Sequence, residues 1–368
     1  MPTFSLRTNP VKAAPIDAQS EDASQAFPSF RERPPWIGRD LQTLRNFLRG
    51  DPGELLGGER LLLAMPDGDK LAARLDRPIK QNVIYFKRVE RDACEKPVSA
   101  FSHRALVVLV HGLAGCESSH DTVATARHLV SEGWSVLRLN LRGSEPSRPT
   151  STGRYHAGRT EDLEAALRAL PRELALHGII LVGHSLGGNL VLKFMGEAYY
   201  DLPVLAAAAI STPLDLAGSC ARMMERRNLP YHRHMLRAMK LEALAESAAL
   251  TSVERATIAA ARNVYEFDNN FVAPHFGYRD ALDYYEANRS GRFLAGIKTP
   301  TLIVHALDDP WIPSACYTTI DWARLPMIET ALTPNGGHLG FHGVGSATPW
   351  HDRVTALWLS KQAAVRLH

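Results

Sequence analysis

Ile179-Ile180-Leu181-Val182-Gly183-His184-Ser185-Leu186-Gly187 is the stretch on which the reading of this chain turns. Four apolar residues of strand character run straight into a Gly-x-Ser-x-Gly pentapeptide, the sequence form of a strand that bends sharply into a helix with a serine at its apex. Glycines on both sides let the flanking backbone approach closely enough to hold the hydroxyl up in a strained turn. The pentapeptide recurs by chance, so its setting carries the weight. Here Asn189 to Met195 continues as a helix with one apolar face. The pattern therefore predicts Ser185 as a nucleophile.

Outward from that turn the chain alternates. Ala105 to Val110, Trp134 to Leu139, Leu205 to Ile210 and Thr301 to Val304 read as buried strands, and Ile328 to Leu332 as a further one. Between them, Val123 to Val130 and Glu161 to Leu170 carry apolar residues at helical spacing. Strands alternating with helices imply an α/β fold, with a mostly parallel central sheet and helices on both faces. Two short alternating runs around Pro66-Asp67-Gly68-Asp69 predict a β-hairpin at the opening of the sheet. About ninety residues separate the strand ending at Ile210 from the one beginning at Thr301, and such a length needs structure of its own. Its helical composition predicts a cap over the carboxyl edge of the sheet. The expected division is a poorly ordered tail over residues 1–26, a core over 27–211 and 291–368, and an inserted helical cap over 212–290. Trp350 to Val365 closes the chain as an amphipathic helix.

A serine hydroxyl needs a histidine to take its proton and a carboxylate to orient that imidazole. In folds of this kind the order along the chain is serine, carboxylate, histidine. His338, set in Gly336-Gly337-His338-Leu339-Gly340-Phe341 after the last strand, is the candidate base. Asp309 in Leu307-Asp308-Asp309-Pro310 is the chosen carboxylate, with Asp308 and Asp215 as the alternatives. The loop His111-Gly112-Leu113-Ala114-Gly115 follows a strand and precedes a helix. The N–H groups of Leu113 and Leu186 are therefore the expected oxyanion hole. His111, His184 and His305 read as structural. Neither a histidine–carboxylate metal motif nor a phosphate-binding glycine loop appears, so no metal and no cofactor are expected.

The chain has 368 residues, 45% hydrophobic and 22% charged, with 42 Lys plus Arg against 39 Asp plus Glu. A net charge of +3 argues against nucleic acid as a partner. Arg222 to Arg227 reads as a solvated helix face. Four scattered cysteines suit a reducing compartment, and the absence of a leader or an 18-residue apolar run predicts a cytoplasmic protein without a spanning helix. Peripheral contact with a membrane stays open, because Met223, Met224, Leu229, Met235, Leu236 and Met239 in the expected cap read either as core or as a docking face.

With these motifs in hand, the chain resembles the YheT-like family of α/β-hydrolases, family 4 of that superfamily, over most of residues 27 to 345. Further segments carry the likeness: Pro35-Trp36 with Leu41-Gln42-Thr43-Leu44, Asn140-Leu141-Arg142-Gly143, Tyr155-His156-Ala157-Gly158 and Glu266-Phe267-Asp268. Asp40 stands where the family has a histidine, and His184 where it often has phenylalanine. The resemblance implies an α/β-hydrolase fold, with Ser185, Asp309 and His338 acting on carboxylic esters, acyl or lipid, of small-molecule kind. An acyltransferase using the same acyl-enzyme, or an idle ligand-binding member of the fold, are the alternatives.

Overall fold

A computed structural model of the chain describes residues 27–49, 57–78, 105–197, 201–245 and 250–365. The tail expected over residues 1–26 lies outside them. Helix α1 (Arg39–Arg49) precedes strands β1 (Glu59–Ala64) and β2 (Lys70–Asp76). The turn between the strands needs Gly68 at φ +92°, a conformation costly for any residue with a Cβ, and β1 and β2 pair antiparallel as the hairpin signal predicts.

Strands β3 (Leu106–Val110), β4 (Ser135–Leu139), β5 (Ile179–His184), β6 (Val204–Ile210), β7 (Thr301–Ala306) and β8 (Ile328–Thr333) follow. The described residues form one sheet in the order β1-β2-β4-β3-β5-β6-β7-β8. β2 runs against both neighbours, and β3 to β8 are parallel. Three crossovers are helices: α2 (His120–Ser131), α3 (Thr160–Arg168) and α4 (Leu186–Glu197). Alternate side chains of a doubly covered strand face opposite layers. Val108, Val110 and Leu181 pack with Leu163 of α3 and Phe194 of α4. Val107, Leu109 and Val182 pack instead with Leu129 of α2 and with Trp358 of the closing helix Trp350–Val365.

One buried ion pair fastens the hairpin to the parallel sheet. Arg138 on β4 grips Asp76 on β2 through Nε–Oδ2 at 2.7 Å and a second nitrogen at 3.0 Å, with both side chains almost wholly buried. Removing Asp76 leaves the Arg138 charge buried without its carboxylate, although Nη1 still donates to Glu117 O at 2.7 Å. Asp76→Ala is therefore expected to lower stability by about 3–5 kcal/mol. Urea unfolding monitored by far-UV circular dichroism reads this directly, and a loss below about 1 kcal/mol would contradict it.

Between β6 and β7 run α5 (Leu216–Met223), α6 (Leu229–Ala243) and α7 (Ser252–Ala260), then a helical stretch over 264–275, and α8 (Ala281–Asn288). In that stretch Asp268–Val272 widens into a π-turn. The helix starts follow the capping chemistry of the sequence: Asp215 caps α5, Thr251 and Glu254 form a capping box on α7, and Asp280 caps α8. Leu236, Met239, Ile258, Phe267 and Phe271 close a third apolar cluster over Leu113 and Leu186. Met223, Leu236 and Met239 point into this cluster or the cavity beneath it, while Met224 and Leu229 stay exposed. The basic run over 222–227 is partly tied down, since Arg222 pairs with Glu225 and Arg227 with Asp40. Asp40 also accepts the Tyr231 hydroxyl at 3.0 Å and so anchors α1 to α6. No helix among the described residues is long and apolar enough to cross a membrane.

Candidate active site

Ser185 sits at φ +50°, left-handed backbone that a residue with a Cβ holds only under strain. Its amide donates to Ile210 O at 2.8 Å, which ties the turn to the end of β6. Both glycines of the pentapeptide are steric requirements. A Cβ on Gly183 would lie 2.4 Å from Gly187 O, and one on Gly187 would lie 2.3 Å from Val110 O. No side chain fits at either place, so β5, α4 and the end of β3 can close together only around glycine.

The Gly336-Gly337-His338 loop follows β8 and is braced from far away in the chain. Gln42 of α1 accepts the His342 amide at 2.7 Å and donates to its carbonyl at 3.1 Å. Thr43 Oγ1 accepts the His338 amide at 2.9 Å, and Ser211 Oγ accepts that of Leu339 at 3.2 Å. Gly337, at φ +61°, has Arg39 O 2.5 Å from where a Cβ would stand. The Leu41-Gln42-Thr43-Leu44 segment is thus the part of α1 that holds the histidine loop in place.

That loop brings His338 Nε2 to 3.1 Å from Ser185 Oγ and His338 Nδ1 to 2.8 Å from Asp309 Oδ2. The other oxygen of Asp309 accepts the amides of Trp311 at 2.8 Å and Ile312 at 3.1 Å. Burial pushes the Asp309 carboxyl up. The charge and hydrogen bond of His338, with His305 and the Trp311 amide, outweigh that and hold its pKa below the ordinary aspartate value. Asp308 turns away and accepts the Gly337 amide at 2.9 Å; burial pushes its carboxyl up to about 6. Asp215 is the cap of α5. Trp311 lies against the His338 ring, with centroids 4.2 Å apart. A hydroxyl, an imidazole and a carboxylate in this line can pass a proton from oxygen to nitrogen while the carboxylate fixes the tautomer.

The His111 to Gly115 loop lies directly over the serine turn, since a Cβ on Gly112 would stand 3.2 Å from Ser185 Cβ. His111 pins the loop. Its Nδ1 donates to Gly112 O at 2.8 Å and its Nε2 accepts the Leu141 amide at 3.1 Å. Burial lowers its pKa to about 4, so the ring is neutral. Ala114, at φ +53°, gives its amide to the Tyr155 hydroxyl at 2.6 Å, and that hydroxyl donates to Glu242 of α6 at 3.1 Å. Among the backbone bonds of the described residues none uses the Leu113 or Leu186 N–H, and the latter opens α4 at its positive end. Two such donors beside the hydroxyl can stabilise an oxyanion.

A polar knot behind the turn has no linear signature. Thr125 of α2 donates to Asp352 at 2.5 Å and lies 3.2 Å from His184 Nε2, while His351 stands beside Asp352 at 3.2 Å. Burial lowers His184 to about 4, which leaves it neutral behind the nucleophile. In front, Ser185 and His338 open into a cavity of about 660 Å³ beneath the helices between β6 and β7, with Leu216, Met223, Met239 and Val264 among its apolar walls.

Residues 105–343 match the alpha/beta hydrolase fold family. The chain is 35% identical over 276 residues to the protein named "Putative esterase YheT" of Escherichia coli, a likeness covering 72% of this chain and 79% of that one. It is 26% identical over 323 residues to phospholipase ABHD3 of Mus musculus, across 83% of this chain and 71% of that protein. Among solved structures it is similar to the Pyrococcus furiosus esterase Pf2001, at a TM-score of 0.51 and 13% identity over 84% of this chain and 92% of that one. This last likeness concerns the fold alone.

Proposed function

The chain belongs to the alpha/beta hydrolase fold family, and on that footing we propose that it hydrolyses carboxylic esters through an acyl-enzyme on Ser185. Ser185 Oγ attacks the ester carbonyl carbon while His338 Nε2 takes the hydroxyl proton, and Asp309 stabilises the imidazolium that results. The carbonyl oxygen gathers negative charge toward the N–H groups of Leu113 and Leu186. The tetrahedral intermediate collapses, the C–O bond to the leaving group breaks, and His338 returns its proton to that alkoxide, which departs as an alcohol. Water, giving its proton to the now neutral His338, then attacks the acyl carbon; the acid leaves and Ser185 recovers its proton.

The observation that carries the reading is the unbroken line from Ser185 Oγ through His338 to Asp309, at 3.1 and 2.8 Å. An apolar cavity in front of the serine supports a small-molecule ester or a lipid as substrate. The names of the relatives, an esterase and a phospholipase, agree with that class. The helices over 212–290 act in this reading as the cap over the acyl site.

Incubation with a fluorophosphonate followed by peptide mass spectrometry is expected to find a single adduct, on Ser185. Folded protein left unlabelled would overturn the proposal and favour a binding role. Product analysis separates the two chemistries open to the acyl-enzyme: free acid from a p-nitrophenyl ester, undiminished by added alcohol, is the expected outcome. A new ester of the added alcohol in place of the acid would identify acyl transfer instead.

A further inference from the structure

The reaction above leaves Glu266-Phe267-Asp268 without a role, yet Asp268 stands in the wall of the same cavity as Ser185. It is 8% exposed. Its Oδ2 accepts the hydroxyl of Tyr285, itself 4% exposed, at 2.6 Å, whereas Oδ1 takes no hydrogen bond from the protein. A carboxyl oxygen that lines a cavity without a partner from the protein is left for water or a ligand to satisfy. Leu216, Met239 and Val264 share one apolar cluster with Tyr285 and line the cavity beside Met223, while Asn46, His120, Asp121 and His234 are among its other polar lining residues.

Two further features set this carboxyl apart. Asp268 opens the π-turn, a geometry frequent at functional places in helices. The nearby cation, Arg154, stacks over the rings of Phe267 and Phe271 at 5.9 and 5.2 Å and forms no ion pair with the carboxylate. Burial pushes the Asp268 carboxyl up to about 7, against the opposing influence of Tyr285 and Arg154. Near neutrality the group is both donor and acceptor. A hydroxyl can satisfy either form, while an ammonium would meet the field of Arg154.

We infer that Asp268, held by Tyr285, is a substrate subsite that recognises a free hydroxyl, so that hydroxylated esters are preferred over plain hydrocarbon esters. This rests on the ester-hydrolase reading. A buried site that hydrogen-bonds a substrate hydroxyl rejects the analogue lacking it, because its own polar atom is then left unpaired.

The test compares kcat/KM for a propyl ester with that for the glyceryl ester of the same acid, and with that for the propyl ester of the acid hydroxylated at its terminal carbon. The first pair places the hydroxyl on the alcohol side and the second on the acyl side. An advantage of roughly tenfold or more is expected in one arm. Asp268→Leu is expected to bring that ratio to about one. Should that variant misfold by circular dichroism, Asp268→Asn carries the test, with the ratio reduced at least threefold. No preference in either arm, a ratio untouched by both variants, or an aminopropyl ester surpassing the hydroxylated ones would overturn the inference. Loss of all turnover in wild type, with no fluorophosphonate adduct on Ser185, would instead fail the reading beneath it.

Discussion

Ser185→Ala is expected to lower kcat for p-nitrophenyl esters by a factor on the order of 10⁴ to 10⁶, with KM changed little. The alanine methyl occupies the place of the serine Cβ in the same left-handed turn, so the variant carries no new backbone strain and keeps its glycine contacts. What disappears is the only atom in the line able to form the acyl bond. Residual rate comes from water attacking a carbonyl still polarised by the Leu113 and Leu186 amides. Steady-state kinetics on protein purified free of host esterases decides it. Turnover within tenfold of wild type would mean that a different group is acylated, or that none is.

Asp309→Asn is expected to cost on the order of 10³ to 10⁴ in kcat without unfolding the protein. The reason lies in how its carboxylate is shared. Oδ1 accepts the amides of Trp311 and Ile312 and Oδ2 faces His338 Nδ1, so an asparagine keeps its carbonyl on the two amides and turns its NH₂ toward the ring. Nδ1 must then accept, the ring proton moves to Nε2, and the nitrogen facing Ser185 Oγ can no longer take a proton. Asp308→Asn is the matched control. That side chain accepts only the Gly337 amide, a bond the asparagine oxygen can still receive, so kcat/KM is expected to stay within about threefold of wild type. Reversed effects of the two variants would assign the imidazole to the other aspartate.

Much of the architecture was legible because its signals are local. The β1–β2 turn, the apolar runs of β3 to β7 and the Gly-x-Ser-x-Gly turn each report on a handful of neighbouring residues. The candidate site was legible to the extent that its loops follow strand ends. The supports were not. Tyr155 meets Ala114 across 41 positions, Thr125 meets Asp352 across 227, and Thr43 meets His338 across 295. A threonine or a tyrosine in an amphipathic segment looks the same whether it faces water or a distant amide, and nothing in spacing separates the two. The choice among Asp308, Asp309 and Asp215 had the same origin: three aspartates in turn-forming positions, distinguished only by where their oxygens point. The six apolar residues of the first helices between β6 and β7 divide for a physical reason too. Met223, Met235, Leu236 and Met239 line the cavity or the apolar cluster over it, while Met224, just past the end of α5, and Leu229, at the very start of α6, are left exposed by the helix ends.

The brace from α1 to the histidine loop has a practical consequence for anyone trimming this protein. The match to the alpha/beta hydrolase fold family begins at residue 105, yet Gln42 and Thr43 clasp His342 and His338 from more than sixty positions upstream of it. A fragment cut to that boundary would forfeit the clasp on the His338 loop together with β1, β2 and the Asp76 partner of Arg138. Loss of turnover in such a fragment would speak of removed supports, and only the longer chain can tell that apart from missing chemistry.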